Sequence, residues 1–314
     1  MKLTRKEFLK LSVNAGAALA MGSTGPMRLA TAAQPQPQPM ARRAIAKSGE
    51  MLPVIGLGTS RVFDVAGDAE QMAQRREVLE TLFNGGGSVI DSAPSYGNSE
   101  TIAGRLLDQM GARDKAFIAT KISTYGGKDD GLGQMKGSMG RWHTGKIDLM
   151  QVHNLKGTDI HLESIRDWRD AGRIRYVGIT HYRDDAHEDL EMVMQSEILD
   201  FVQLNYSVLN RNAENILLPL AAEKGVAVLV NVPFGRGGLF RLVRGRKIPD
   251  WAAEFGASSW GQVFLKYILG NPAVTCIIPG TSKAKHMTDN IGAGLGPVPD
   301  ARQRRKIVEL MESL

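Results

Sequence analysis

Eight short β-rich apolar runs recur between residues 54 and 279, each ending at a polar or glycine-rich junction and most followed by an amphipathic stretch. They read V-I-G-L-G (54–58), S-V-I-D (88–91), A-F-I-A-T-K (116–121), I-D-L-M-Q-V-H (147–153), Y-V-G-I-T (176–180), F-V-Q-L-N (201–205), V-A-V-L-V-N (226–231) and V-T-C-I-I-P (274–279). Helical spacing marks the intervals at Gln71 to Asn84, Ser99 to Gln109, Leu162 to Asp170, Ala213 to Lys224 and Ser259 to Leu269. Parallel strands need a crossover of about a dozen residues or more, usually a helix. Eight such units close into a barrel of about 250 residues. The expected fold is therefore α/β, a single-domain (β/α)8 TIM barrel with eight parallel strands. An open doubly wound sheet is disfavoured because no G-x-G-x-x-G follows an early strand. Two segments fall outside the rhythm. Tyr125 to Gly140, rich in Gly, Lys and Asp, reads as a loop leading into a helix, and Arg236 to Pro249, with four arginines and a lysine, as a long surface excursion.

The N-terminal residues do not share this pattern. T-R-K-E-F-L-K at 4–10 precedes a mildly apolar stretch from Leu11 to Met21 and the small residues A-T-A at 30–32. A basic start, a short apolar middle and a small-residue exit have the form of a secretory signal, too short for a stable membrane span. The string also resembles the twin-arginine export signal, with Lys6 where a second arginine is usual. That resemblance implies transient contact with export machinery and a periplasmic address; the alternative is an uncleaved segment of a cytoplasmic protein. A-Q-P-Q-P-Q-P-M (33–40) follows as an extended linker. The expected organisation is a leader at 1–33, a linker at 34–43 and a barrel at 44–314.

Charge and cysteine content narrow the function classes. Of the 39 basic and 33 acidic residues, five basic and one acidic lie within residues 1–32, which leaves 34 and 32 in the body. A nearly balanced body without a basic stripe argues against nucleic acid as a ligand. The one cysteine, Cys276, lies in the apolar run V-T-C-I-I, allows no internal disulfide, and reads as a small core residue.

In such a barrel the C-terminal ends of the strands face one mouth, so polar residues ending different strands converge. Strand two ends at Asp91 with Tyr96 on the loop beyond, strand three at Lys121 and strand four at His153. Singly, each has an ordinary explanation as a turn residue, a surface phenol, a lysine reaching solvent or a core histidine. Together they make a chemical group. An ammonium beside a phenol lowers the phenol's pKa, a carboxylate keeps that ammonium charged, and an imidazole can hydrogen-bond a carbonyl oxygen. Such a pocket can stabilise a developing alkoxide and protonate it from Tyr96. Side chains cannot supply hydride, so a dinucleotide or flavin is required.

The body, from about residue 45 to 314, resembles the aldo-keto reductases. The shared motifs are V-I-G-L-G-T (54–59), D-S-A-P-S-Y-G-N-S-E (91–100), A-T-K (119–121), I-D-L-M-Q-V-H-N (147–154), R-Y-V-G-I-T (175–180), V-Q-L-N-Y-S (202–207) and I-I-P-G-T-S (277–282). The resemblance implies an oxidoreductase that reduces a small aldehyde or ketone with NADP(H), or alternatively NAD(H). In it Tyr96 is the general acid, Asp91 and Lys121 tune it, and His153 orients the carbonyl. It places cofactor contacts at Gly58, Thr59, Thr180, His181 and Gln203, at Asn231, Val232, Phe234 and Gly235, and along Pro279, Gly280, Thr281, Ser282, Lys283, Lys285, His286, Asp289 and Asn290. The chain departs from the family at three of these. His181 replaces an asparagine, Asn231 or Val232 stands where a tyrosine stacks on the nicotinamide, and His286 replaces the arginine usual in NADP-preferring members. Phe63, Trp142, Tyr206 and Phe234 are candidates for the mouth. The competing readings are a cofactor-binding regulatory subunit on the same barrel and a metal hydrolase using His153 and Asp91. No metal is expected, because further ligands are lacking and Lys121 would repel a cation.

Overall fold

A computed structural model describes residues 39–314; the expected leader and the first half of the expected linker, 34–38, lie outside the described residues. The described chain opens with an antiparallel hairpin, β1 (Arg42–Ala44) and β2 (Met51–Pro53). Eight parallel strands follow: β3 (Leu57–Gly58), β4 (Val89–Asp91), β5 (Phe117–Ile122), β6 (Ile147–His153), β7 (Ile174–Thr180), β8 (Phe201–Asn205), β9 (Ala227–Asn231) and β10 (Val274–Ile277). Each pairs with its neighbour in chain order. The last meets the first along a seam, where Gly56 N–H donates to Ile277 O (2.8 Å) and Ile277 N–H to Val54 O (2.9 Å). A Cβ on Gly58 would lie 2.7 Å from Ile278 O, so only glycine allows this approach. The expected barrel is what forms.

Helices α1 (Ala69–Asn84), α2 (Ser99–Gln109), α3 (Lys128–Arg141), α4 (Thr158–Asp170), α5 (His187–Ser196), α6 (Leu217–Lys224), α7 (Gly238–Leu242), α8 (Trp260–Leu269), α9 (Ala284–Ala293) and α10 (Ala301–Glu312) occupy the intervals. The Tyr125–Gly140 segment proves to be mostly helix. Its glycines disfavour helix intrinsically, but Met135 and Met139 are buried from one face, and Asp129 and Asp130 suit its N-terminus. The 236–249 excursion starts in a 3-10 turn at Gly235–Gly237 and carries the short α7 before an irregular stretch. Met40 is buried and Arg42 and Arg43 belong to the hairpin, so these residues, assigned to the linker from sequence, are part of the folded body.

Strands β5 and β6 are buried on both faces, as expected for a parallel sheet covered by helices. Their side chains alternate between two cores. One face joins the large core beneath the helices, with Ile118, Met150, Val177 and Val202. The other fills the barrel with Val89, Phe117, Ala119, Leu149, Tyr176, Phe201, Leu229 and Cys276, and Ile45 and Leu52 from the hairpin region join the same cluster. Cys276 is thus the small core residue expected. Strand alternation then fixes what lies above this apolar plug. Counting by twos from Val89, Ala119, Leu149, Phe201 and Leu229 reaches Asp91, Lys121, Gln151 and His153, Gln203 and Asn231. The barrel interior turns polar at its C-terminal end.

Candidate active site

The centre of the mouth is an ion pair. Lys121 Nζ, with no solvent exposure, donates to Asp91 Oδ1 (2.7 Å) and to the Ser92 carbonyl (2.7 Å). The second carboxylate oxygen, Asp91 Oδ2, accepts from Gln203 Nε2 (2.8 Å) and Gln151 Nε2 (3.3 Å). Burial alone would depress the Lys121 ammonium, but Asp91 and the Tyr96 phenol outweigh it and leave the pKa raised. The lysine is a fixed cation.

Tyr96 stands over this cation, its ring centroid 4.9 Å from Lys121 Nζ and 5.7 Å from the His153 ring in an edge arrangement. Its loop is shaped by Gly97 at φ +56°, where a Cβ would meet the Asp64 carboxylate at 2.2 Å. The lowered phenol pKa expected from sequence is not what results. Desolvation raises it; Lys121 pulls it down, but Asp91 adds to the rise, and the net direction is up. The cation therefore offsets the cost of burial while the phenol stays protonated, which is the form an acid needs.

His153 completes the group. Its Nδ1 lies 2.5 Å from Ser123 Oγ and 3.3 Å from Ser95 Oγ, and the two hydroxyls are 3.3 Å apart. Burial first, then Lys121, Lys156 and His181, push its pKa down to about 3. Above about pH 6.5 the imidazole is neutral folded or unfolded; as pH falls toward 3, the unfolded chain binds a proton that the folded one refuses, and stability declines. Urea midpoints measured across this window are expected to fall less steeply with acidification in His153→Gln than in the wild type; equal slopes would refute the neutral assignment.

The four residues proposed from sequence are thus brought together. The cofactor positions divide. Thr59 donates from its N–H and hydroxyl to the Asp91 carbonyl, both at 2.9 Å, and buttresses strand β4. Gln203 is committed at both ends of its amide, to Asp91 and, through Oε1, to the Thr180 hydroxyl (3.0 Å). Asn231 Nδ2 lies 3.4 Å from Gln203 Oε1, while Asn231 Oδ1 is buried without a partner among the described residues. His181 Nδ1 accepts from Arg183 N–H (3.2 Å), and its ring lies parallel to Tyr182 at 5.6 Å. Beyond β9, Val232 (φ +50°) and Gly235 (φ +55°) turn the chain, Phe234 packs on Phe240 at 4.8 Å, and the Arg236 guanidinium lies 4.9 Å over the Tyr182 ring.

Pro279 and Gly280 belong to the barrel seam. Thr281 Oγ1 accepts from Lys283 N–H (3.1 Å) and leads into α9, which presents Lys283, Lys285 and His286 exposed, with Ser282 partly so. Burial and the two lysines depress His286, so it offers a neutral ring and not a charge. Asn290 is buried, and Asp289 is spent inside the fold, accepting from Ser259 Oγ (2.8 Å) and Gln262 Nε2 (2.9 Å).

Three aromatics proposed for the mouth are elsewhere. Phe63 is core. Trp142 is buried with its indole N–H donating to Glu100 Oε1 (3.1 Å), in a cluster that includes Arg141 Nε at 2.7 Å from Glu100. Tyr206 lies under α10, beside Glu214, Tyr267 and Arg304. The hydrophobic area of these three aromatics favours the helix-side core, and Trp142 precedes β6, away from the end that carries His153. Sequence reasoning missed Gln151, Ser123 and Ser95. Gln151 and Ser123 continue the inward alternation of His153 and Lys121, which is the pattern that could have found them.

Residues 54–310 match the Aldo/keto reductase family. An eight-stranded parallel barrel with a buried lysine–aspartate pair under a tyrosine at its C-terminal mouth is the architecture of an oxidoreductase barrel, and the chain belongs to this family. Among its relatives, the aldo-keto reductase str7 of Strobilurus tenacellus is 26% identical over 81% of this chain and 87% of its own length. The aldo-keto reductase YhdN of Bacillus subtilis is 26% identical over 67% of this chain and 66% of its own. In fold, the chain is similar to an aldo/keto reductase from Klebsiella pneumoniae in complex with NADP and acetate, with a TM-score of 0.72 and 22% identity, covering 85% of this chain and 94% of that one.

Proposed function

We propose that the chain reduces an aldehyde or ketone to an alcohol with NAD(P)H, Tyr96 giving the proton. The observation that carries this reading is the buried Lys121–Asp91 pair directly beneath a phenol held in its protonated form. The nicotinamide, when bound, supplies the hydride. The residues present fit it: Asn231 Oδ1 is a buried acceptor without a partner among the described residues, beside Thr180, His181 and Gln203, which suits the N–H groups of a carboxamide. Lys283, Lys285 and Ser282 at the start of α9 suit an adenosine phosphate, and their charge favours NADP(H) over NAD(H).

The proton chemistry belongs to the chain. As negative charge grows on the substrate oxygen, Tyr96 transfers its proton, and the phenolate left behind is stabilised by Lys121. Asp91 holds that ammonium in place through a 2.7 Å contact. Neutral His153 positions the oxygen from the other side. Oxidation of NADPH and NADH with a panel of aldehydes and ketones tests this. Turnover with at least one carbonyl, faster with NADPH, is expected; tight cofactor binding with no oxidation for any substrate would instead favour the regulatory-subunit reading.

The 1–33 segment is further proposed to be a twin-arginine-type leader that delivers the folded enzyme to the periplasm. Its composition supports this reading. Among the described residues no helix is long and apolar enough to cross a membrane. Cell fractionation and the mass of the mature protein decide it: full-length protein confined to the cytoplasm would overturn export.

A further inference from the structure

We propose that Ser123 and Ser95 are positioning residues that leave His153 neutral with two usable tautomers, so that it can donate to a carbonyl oxygen in reduction and accept from an alcohol hydroxyl in oxidation. The inference rests on the reductase reading above for its function, though its geometry stands apart from it. Ser123 continues the inward alternation of β5 two residues beyond Lys121 and is fixed by its N–H donating to Gln134 Oε1 of α3 (2.7 Å). Ser95 comes from the loop that carries Tyr96. Their hydroxyls meet His153 Nδ1 at 2.5 and 3.3 Å and each other at 3.3 Å.

The partner's chemistry decides what an imidazole can do at its other nitrogen. An acceptor-only partner at Nδ1, such as a carbonyl, would demand Nδ1–H and leave Nε2 as a lone pair facing the substrate carbonyl. A carboxylate would also favour imidazolium. A hydroxyl both donates and accepts. With Nε2 protonated, Ser95 donates to Ser123 and Ser123 to Nδ1; with Nδ1 protonated, every bond in the row reverses. Both arrangements are satisfied. Exchange between them is balanced: Nε2 gives a proton to water at the mouth, Nδ1 takes one from Ser123, Ser123 from Ser95, and exposed Ser95 from water. The ionisable groups acting on the ring are Lys121, Lys156 and His181, with the Tyr96 phenol edge-on to it at 5.7 Å; no carboxylate among the described residues acts on it, so nothing nearby forces it to charge.

The test combines 15N spectra of histidine-labelled protein with kinetics in both directions. In the wild type at pH 7, His153 should be neutral, with nitrogen shifts intermediate between the two tautomers. In Ser123→Val these should move to those of one fixed tautomer, kcat should fall about tenfold in at least one direction with cofactor affinity unchanged, and Ser123→Thr should restore both. Ser95→Ala, on an exposed loop, serves should Ser123→Val not fold, and should shift the same signals. A wild-type imidazolium, a single Nδ1–H form, or unchanged spectra and rates in the variants would overturn the proposal. Absence of turnover in the wild type would count against the reductase reading alone, because the spectra still decide the tautomers.

Discussion

Tyr96→Phe is expected to lower kcat by about 10²- to 10⁴-fold, the range that a positioned general acid contributes, while leaving cofactor affinity close to wild type. The substitution removes one oxygen. The ring stays over Lys121 and against His153, so the shape of the mouth is retained. What is lost is the proton that neutralises the alkoxide. Cofactor titration by fluorescence, set beside steady-state reduction of the same carbonyl, separates the two effects. Turnover within a few-fold of wild type would remove Tyr96 from the acid role and return attention to His153.

Lys121→Met should cost both stability and activity. The Asp91 side chain is almost fully buried, and without the ammonium its charge would be left with only the two amide donors of Gln151 and Gln203. Breaking one partner out of a buried ion pair typically costs about 3–5 kcal/mol, and a comparable loss is expected in urea unfolding at pH 7. Lys121→Met combined with Asp91→Asn should recover part of that stability, since the stranded charge is gone, but none of the turnover. A single variant as stable as the wild type would show that the pair is not the electrostatic keystone argued above.

Much of this was legible in the sequence, for identifiable reasons. The strands were found because a parallel sheet covered on both sides writes itself as continuous apolar runs, and the strand ending at His153 was placed to the residue. The four chemical residues followed because all barrel strands point their C-terminal ends one way. Tertiary choices were not legible. Glycines at Gly131, Gly133, Gly137 and Gly140 blurred where the expected loop gives way to α3, whose helix is held by packing against intrinsic preference. Trp142 and Tyr206 cannot reveal from chain position that a buried Glu100 and a half-buried Glu214 await their polar tips. The direction of the Tyr96 shift depends on whether desolvation or the neighbouring cation wins, and that balance is a property of depth.

The seam between residues 54–58 and 277–280 also sets an order of events. It joins parts of the chain more than two hundred residues apart, so it can form only after residues 277–280 have been made, and contacts of such long range are slow to form. Until then β4, which carries Asp91 and pairs with β3, belongs to an open sheet with an unsatisfied edge. Competence to bind and to react should therefore appear late and abruptly during folding, and truncation before Pro279 should leave a chain that retains helices yet never assembles a mouth.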